Sequence, residues 1–528
     1  MEPHVNQAHR LSDAAGRNLK LLNGTVIPMD GAPERHRAVA VRSGQIAAVG
    51  DVSEILAFDI GRAEVVDLGG EFVLPGFIDS HVHAFATGLT MVSADLSGAR
   101  DVGDVCRRLG DHSAASADAA WVLGLGCTPW TLKERRFPTR EELDAAVPER
   151  PVYVTSATFH SGAANSVALR YIGGEDEHAE TRLGSATEGW FLDDDSHFAA
   201  ARVAFGSLSD EAITDLYRRV ASHAASKGVT TLHCLEGQFM QDDRDVLALI
   251  GCQQELPVHT VLMYQTMDVE RVLALWLPRI GGCLTVDGAC FEHTAAFYEP
   301  YLDAPRTCGT LNYSEETIAE FVRRAHGAGL QIGMHAIGDR AVDTLVRSYV
   351  NAQAENPRRD ARHRVEHFQL PSEWAIDEAR RLDLALPMQP VFSNLWDHPG
   401  DSDYERSFGV LRAERMEPLA RLVGLGLHVA GGSDSPVTPI DPLLGIHAAV
   451  NNPRPSRRTT VDDAVRMFTV NGAWVAHEEA IRGSISVGNV ADLVVLDEDP
   501  YSDPTGIGDI GVCLTIHEGT VTYDGVPG

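Results

Sequence analysis

The sequence predicts an α/β protein built on a (β/α)8 barrel of the TIM type. It also predicts a β-sandwich domain formed by both chain termini and an inserted subdomain after strand 1. Three observations predict this fold. Short apolar segments alternate with helical segments through the middle of the chain, both ends are rich in β-prone segments, and one interval is too long for a single loop.

Eight apolar segments in the middle of the chain have the length of buried strands, and helical patterns separate them. Eight parallel strands joined by helices close into a barrel, and residues at their carboxyl ends then share one mouth. The barrel is expected to occupy residues 74–482. The candidate strands are residues 72–78, 229–233, 258–264, 284–286, 331–335, 364–368, 384–388 and 427–430.

The two ends of the chain, residues 19–73 and 483–528, combine short β-prone segments with turns such as Asn23-Gly24. We expect them to form one β-sandwich together. The interval from about 86 to 222 is longer than an ordinary loop between a strand and a helix, and it contains strand-like segments of its own. It is therefore expected to be an inserted subdomain that covers the barrel mouth.

The chain has 528 residues, of which 44% are apolar and 23% charged, as is typical of a soluble globular protein. Its net charge of −31 repels nucleic acid and anionic membranes, so neither is expected as a partner. No segment resembles a secretory signal or a membrane span. Eight cysteines without paired spacings are typical of reduced thiols, which predicts a cytoplasmic protein. The partner expected instead of nucleic acid or a membrane is a small-molecule substrate.

Two histidines, His81 and His83, follow the first predicted strand with one residue between them. Residues two apart on a strand point to the same side, so both imidazoles can reach one point beyond the strand end. A metal ion is the usual reason to place two neutral imidazoles there. The pair alone is also compatible with ordinary polar side chains at the end of a strand.

Three later strand ends supply further candidate ligands, His335, His367 and Asp434. With the first pair they form a nitrogen-rich set with one carboxylate, which suits one or two Zn²⁺ ions or another divalent transition metal. The set predicts a metal centre at the barrel mouth. Glu366 precedes His367 and is therefore expected to face the opposite side of its strand.

Short motifs distributed over nearly the whole chain match those of a known family. They lie at residues 74–83, 140–143, 151–152, 165–166, 168–169, 287–288, 294–295, 334–342, 366–367, 388–390, 432–436 and 488–496. On these motifs the chain resembles the amidohydrolase superfamily, and within it the YtcJ-like branch that includes N-substituted formamide deformylase. The resemblance implies a metal-dependent hydrolase on a (β/α)8 barrel with a β-sandwich built from both ends.

The resemblance also implies a role for each candidate ligand. His81 and His83 match the ligands of strand one, and His335 and His367 match those of strands five and six. Asp434 matches an aspartate of strand eight that commonly serves as both ligand and proton shuttle.

Cys283 stands where many members of this branch carry a lysine whose carboxylated form bridges two metals. The only lysines are Lys20, Lys133 and Lys227, and none lies at the end of a barrel strand, so no such bridge is expected. Cys283 either supplies a thiolate ligand, since soft sulfur binds zinc well, or packs as a small buried residue beside a single metal ion.

Three further residues are candidates for contact with the substrate. Glu292 and His293 lie in a segment that differs from many relatives, and they either contact the substrate or lie in a solvated loop. His160 matches a histidine close to the substrate in relatives, and it either polarises a carbonyl or is an ordinary loop residue. The candidate catalytic residues are Asp434, His160, His293 and Glu292.

The predicted reaction is hydrolysis of a non-peptide carbon–nitrogen bond, that of an amide or N-substituted formamide, by metal-activated water. Asp434 would take the water proton and pass it to the leaving nitrogen. The same residues suit a deaminase or a hydrolase of cyclic amides, imides or lactones, because fold and ligands do not decide the substrate. A non-catalytic, metal-stabilised binding protein is the alternative from another class. Relatives often form dimers, so a homodimer is the candidate assembly.

Overall fold

The computed structural model describes residues 18–116, 120–173, 188–237, 240 and 243–525. The amino-terminal elements are β1 Leu19–Leu22, β2 Thr25–Val26, β3 Ala38–Arg42, β4 Gln45–Gly50, α1 Val52–Ala57, β5 Glu64–Asp67 and β6 Phe72–Pro75. Next come β7 Phe77–Val82, α2 Ala84–Thr90, β8 Ala94–Asp95, α3 Val102–Ala115, β9 Val122–Cys127, α4 Arg140–Ala146, β10 Val152–Ser156, β11 Gly162–Ala164, α5 Ser166–Gly173, β12 Trp190–Phe191, α6 Asp194–Phe205 and α7 Asp210–Ser226.

The second half of the chain alternates strands and helices. It contains β13 Val229–Glu236, α8 Arg244–Cys252, β14 His259–Tyr264, α9 Val269–Ala274, β15 Arg279–Ile280, α10 Glu315–Gly327, β16 Gln331–Ala336, α11 Asp339–Glu355, β17 Arg364–His367, α12 Glu373–Arg381, β18 Ala385–Met388, α13 Val391–Trp396, β19 Asp397–His398, β20 Asp401–Ser402, α14 Asp403–Phe408, α15 Val410–Ala413, α16 Leu419–Gly424 and β21 His428–Gly431. The last elements are α17 Pro442–Val450, α18 Val461–Met467, α19 Val470–Val475, β22 Leu493–Leu496, β23 Val512–His517 and β24 Thr520–Asp524.

Eight parallel strands form a barrel in the order β7, β13, β14, β15, β16, β17, β18 and β21. A parallel bridge between Val82 and Ser435 brings the last strand beside the first, so the barrel is nearly closed. Strands such as β7, β13 and β16 are buried along their whole length. The predicted mixed α/β fold with an eight-stranded parallel barrel is confirmed.

Two of the predicted barrel strands were placed wrongly. The apolar run 72–78 divides between two sheets, because the chain leaves the terminal sheet at Pro75 and the amide of Gly76 donates to Asp492 O. The fourth strand is β15 rather than residues 284–286. Gly281 and Gly282 both have positive φ and end the strand there, and of the predicted segment only Thr285 makes a bridge, with His335.

Both ends of the described chain contribute to a five-stranded sheet with the order β2, β6, β22, β23 and β24. β22 pairs antiparallel with β6, so Leu493 lies opposite Pro75. A four-stranded sheet, in the order β4, β3, β1 and β5, shares a buried core with it. Leu21 and Val41 from one sheet pack in this core with Val495 from the other.

A further five-stranded sheet, in the order β12, β11, β10, β9 and β8, lies in the chain between the first and second barrel strands. α3 and α4 contribute Val105, Leu109 and Leu143 to a small separate core beside this sheet. None of the helices in the described ranges is long and apolar enough to cross a membrane.

Candidate metal centre and active site

The first cluster of candidate metal ligands consists of His81, His83 and Asp434. Its three side chains meet at the carboxyl ends of neighbouring barrel strands. His81 lies on β7, His83 immediately precedes α2, and Asp434 follows β21. The Nε2 atoms of the two histidines lie 3.1 and 3.2 Å from Oδ1 of Asp434. The barrel closes between β7 and β21, and this closure brings the three donor atoms to one position.

Cys283 lies at the centre of a second group of donors. Its Sγ is 3.8 Å from Nδ1 of His335 and 3.7 Å from Nε2 of His367. The donor atoms of His81, Cys283 and His367 lie within 4.8 Å of one another, as do those of the first cluster. His81 therefore belongs to both groups, and the two groups form one continuous centre.

The hydrogen bonds of the four histidines fit a bound metal ion. Each ring has one nitrogen directed at the centre and the other beside a protein acceptor, which fixes the ring and its tautomer. The acceptors are Glu366 Oε2 for His81, the Leu235 carbonyl for His83, the Gly288 carbonyl for His335 and Gln389 Oε1 for His367. Nε2 of His81 is buried, and its contact of 3.1 Å with Oδ1 of Asp434 is not a hydrogen bond by geometry, so both atoms are available to a cation.

Glu366 faces the barrel interior, so the expectation that it faces away from His367 was wrong. Its Oε2 lies 2.7 Å from Nδ1 of His81, and Arg364 donates to both of its oxygens. All three side chains are fully buried. His367 has φ of 71°, so its side chain leaves the strand alternation and also turns toward the centre.

Two members of the centre have a left-handed backbone, His367 with φ of 71° and Asp434 with φ of 55°. This conformation is unfavourable for a residue with a side chain, by about 1–3 kcal/mol. It persists only where surrounding contacts hold it, and such strain concentrates at functional sites.

Asp287 is a buried residue of the site that was not among the predicted site residues. Its carboxylate accepts hydrogen bonds from the amides of Ala296, Ile337 and Gly338, and its Oδ1 lies 3.5 Å from Nε2 of His335. Asp287 therefore ties the loop after β15 to the end of β16. The Asp-Gly pair in the sequence motif was the available signal.

The electrostatics of the centre favour anionic donors beside cationic rings. Burial alone raises the pKa of the Cys283 thiol, but the charge of His81 and hydrogen bonds from His335 and His367 outweigh burial and hold that pKa well below its usual range. For His83 the effect of burial is the opposite, because it lowers the pKa of an imidazole. Hydrogen bonds to Asp434 and Cys283 outweigh it and raise the pKa of His83 to about 10. A divalent cation and these protons compete for the same donor atoms.

The other candidate catalytic residues occupy different places. His160 lines the cavity above the centre, with its ring 5.5 Å from that of His335. Glu292 accepts a hydrogen bond from Thr158, which does line the cavity. Nε2 of His293 lies 3.1 Å from Oδ1 of Asp303, and the His293 ring packs edge-on against that of Tyr301. Neither Glu292 nor His293 is among the residues that line the cavity, and their catalytic roles stay predictions.

The centre forms the floor of a cavity of about 730 Å³, including its opening to solvent. The lining is mostly apolar and includes two cysteines and six aromatic side chains other than histidine. Its residues are His83, Ala86, Thr158, Phe159, His160, Phe198, Cys283, Thr285, Ala289, Cys290, Phe291, His335, Ile337, His367, Gln369, Phe392, Trp396, Tyr404, Asp434, Pro436 and Val437.

A buried ion-pair network anchors the loop after β18, which forms one side of the cavity. Asp397, at the end of α13, accepts bonds of 2.6 Å from Nε of Arg454 and 2.7 Å from Arg457. All three side chains are at most 3% exposed. Arg454 also binds Glu405 and Glu414, so one guanidinium holds three segments of this loop.

Comparison with known proteins agrees with this geometry. The model of a family described as "Amidohydrolase family" matches residues 64–523. The chain belongs to the amidohydrolase family. This amidohydrolase is 26% identical to the putative amidohydrolase YtcJ of Bacillus subtilis (strain 168) over 527 residues, which cover 93% of this chain and 96% of YtcJ.

Two further similarities extend over nearly the whole amidohydrolase chain. It is 26% identical, over an alignment of 563 positions, to the N-substituted formamide deformylase of Arthrobacter pascens, covering 96% of this chain and 98% of the deformylase. A crystal structure of an uncharacterized metal-dependent hydrolase from Pyrococcus furiosus matches with a TM-score of 0.74 and 25% identity, covering 92% of this chain and 100% of that chain. The predictions of the family and of a metal-dependent hydrolase are confirmed.

Proposed function

We propose that this amidohydrolase hydrolyses the carbon–nitrogen bond of an amide or N-substituted formamide, with Asp434 as the proton shuttle. The observation that carries the proposal is the convergence of His81 and His83 on Oδ1 of Asp434 at the floor of the apolar cavity. The similarity to an N-substituted formamide deformylase over the whole chain supports the choice of bond.

The proposed metal ligands divide into two groups, one for each metal ion. One zinc ion would be held by His81, His83 and Asp434, and a second by Cys283 with His335 and His367. When bound, a divalent metal supplies Lewis-acid activation of water and of a substrate carbonyl.

Asp434 would carry a proton in both halves of the reaction. A water molecule that attacks the carbonyl must lose a proton, and a carboxylate at the floor of the cavity accepts it. The same carboxylate then donates this proton to the departing nitrogen, so that the amine leaves neutral. His160 is the proposed donor to the developing oxyanion, because it lies above the centre beside His335.

The proposal extends to the organisation of the chain. Residues 19–73 and 483–528 are the two parts of one β-sandwich, residues 74–482 are the hydrolase barrel, and residues 86–222 are the insertion that covers the mouth. The shared core of the two terminal sheets and the separate sheet between β7 and β13 support this division. The cytoplasmic location and the homodimer stay predictions.

Product analysis tests the reaction. We expect the zinc-loaded protein to release formate and an amine in equal amounts from N-alkylformamides, and to lose this activity after removal of the metal by a chelator. Zinc added back should restore it. Release of ammonia from a cyclic amidine, or ring opening of a lactone, without cleavage of any amide or formamide would contradict the proposal and favour the deaminase or lactonase alternative.

The metal content of Cys283→Ala tests the proposed thiolate ligand. Elemental analysis should find fewer metal ions per chain in this variant than in the wild-type protein, because one donor of the second group is gone. Cys290→Ala is the matched control, since Cys290 is also buried and lines the same cavity. One metal ion per chain in the wild-type protein and in both variants would make Cys283 a packing residue beside a single-metal centre.

A further inference from the structure

Four aromatic side chains on one side of the cavity form a continuous surface, which we call the aromatic wall. Phe392 and Trp396 lie on α13, with ring centroids 4.8 Å apart. Phe291 lies 5.3 Å from Trp396 and stacks on Tyr404 at 5.6 Å. All four rings line the cavity, so they offer apolar and π surface to its contents.

The aromatic wall begins beside the centre. The ring of Phe392 is nearly parallel to that of His367, with an interplanar angle of 16° and a centroid distance of 6.2 Å. A substrate whose reacting carbonyl lies over the centre therefore has its neighbouring group within reach of Phe392 and Trp396.

Hydrogen bonds behind the aromatic wall hold it in place before any ligand binds. The hydroxyl of Tyr404 donates to Glu417 at 2.8 Å and accepts from Nε2 of Gln369. Ser393 on α13 also donates to Glu417 and accepts from Arg457 at 3.1 Å. A preformed surface of this kind binds a rigid ring without a large ordering cost.

The aromatic wall offers no cationic side chain to an anionic group on the substrate. Among the described residues, no lysine or arginine lines the cavity, so a carboxylate or phosphate on the substrate has no cationic partner there. Glu417 lies behind the wall, where Tyr404, Gln369 and Ser393 donate to it, so it does not supply a counter-ion for a cationic ligand either.

We propose that the aromatic wall is a subsite for an aromatic group on a neutral substrate. This inference rests on the proposed function and narrows its substrate class. In a formamide the acyl side carries only hydrogen, so the group at the aromatic wall must be the nitrogen substituent. The specificity-determining residues are Phe392, whose ring lies beside that of His367, and Trp396, which packs against Phe392.

A matched set of three formamides tests the subsite by steady-state kinetics. N-phenethylformamide presents a ring, N-(2-cyclohexylethyl)formamide has the same size without π electrons, and N-[2-(4-carboxyphenyl)ethyl]formamide adds an anion. We expect kcat/KM to be highest for the first and lowest for the third. Phe392→Leu and Trp396→Leu should each lower the preference for phenyl over cyclohexyl by about threefold to tenfold.

Phe198→Leu is the matched control, because Phe198 lines the same cavity but is not part of the aromatic wall. Its phenyl-to-cyclohexyl ratio should equal that of the wild-type protein. Three results would overturn the inference. They are equal kcat/KM for the phenyl and cyclohexyl compounds, a higher kcat/KM for the carboxylate compound than for the phenyl compound, and a changed phenyl-to-cyclohexyl ratio only in Phe198→Leu. For each variant, the thermal unfolding midpoint shows whether the protein is folded, and elemental analysis shows whether it contains its metal.

A binding measurement separates failure of the subsite from failure of the proposed function. Calorimetric titration with phenethyl alcohol and 2-cyclohexylethanol requires no hydrolysis. Tighter binding of the aromatic alcohol, weakened in Phe392→Leu, with no cleavage of any formamide would uphold the subsite and refute the reaction. Cleavage of the formamides with equal binding of the two alcohols would uphold the reaction and refute the subsite.

Discussion

Asp434→Asn is expected to lower kcat by roughly a thousandfold, because an amide neither accepts the water proton nor donates it to the leaving nitrogen. Asparagine has nearly the same shape as aspartate, and its oxygen can still face His81 and His83 in place of Oδ1. The variant should therefore keep its fold and at least part of its metal. The measurement is kcat on the best formamide, beside metal analysis of the same preparation.

Asp245→Asn is the control for this prediction. Asp245 is also a buried carboxylate, but it accepts hydrogen bonds from the amides of Gly237 and Val246, away from the lining of the cavity. Its kcat should stay within about twofold of the wild-type value. A loss of less than tenfold in Asp434→Asn with metal retained would remove Asp434 from the role of proton shuttle.

Asp397→Asn should destabilise the protein by about 3–5 kcal/mol, since it leaves the buried guanidinium groups of Arg454 and Arg457 without their shared carboxylate. The loop that carries Trp396 depends on this network, so the variant should also bind aromatic ligands less tightly. Chemical denaturation at pH 7 measures the loss of unfolding free energy. Asp401→Asn, at an ion pair whose carboxylate is 91% exposed, is the control and should change stability by less than about 0.5 kcal/mol.

The same variant has a defined pH dependence. Burial raises the pKa of Asp397, but hydrogen bonds from Arg454 and Ser402 and the charge of Arg457 outweigh burial, so that the pKa is lowered in the folded protein. A lowered carboxyl pKa contributes stability above the unfolded value of about 3.9, and this contribution is lost as the pH falls through the folded value. The stability difference between wild type and Asp397→Asn should be constant above about pH 5 and narrow below about pH 4. A difference that grew on acidification would contradict the assignment.

The barrel and the convergence of His81, His83 and Asp434 could be predicted from the sequence for one physical reason. Parallel strands place all their carboxyl ends at one edge, so polar residues that follow apolar runs must meet there. The fourth strand was missed because β15 has only two residues, and Gly281 and Gly282 end it before the apolar segment that follows. Pattern recognition does not detect so short a strand.

The residues that hold the candidate metal ligands in place were harder to predict from the sequence than the ligands themselves. Glu366 was expected to face away because strand alternation was applied across His367, whose left-handed backbone breaks that alternation. The pairs of Asp397 with Arg454 and Arg457 span 57 and 60 residues of the sequence, a separation at which no local pattern identifies a partner. Such contacts depend on where loops meet in three dimensions.

The pairing of β6 with β22 has a consequence for how the enzyme matures. Phe72–Pro75 is followed after one residue by the strand that carries His81, and its antiparallel partner Leu493–Leu496 is synthesised more than 400 residues later. During synthesis, all four histidines of the centre are therefore present before β22, the strand that pairs with β6 next to His81. The segment that leads into the strand carrying His81 thus gains its antiparallel neighbour in the terminal sheet only after nearly the whole chain has been synthesised.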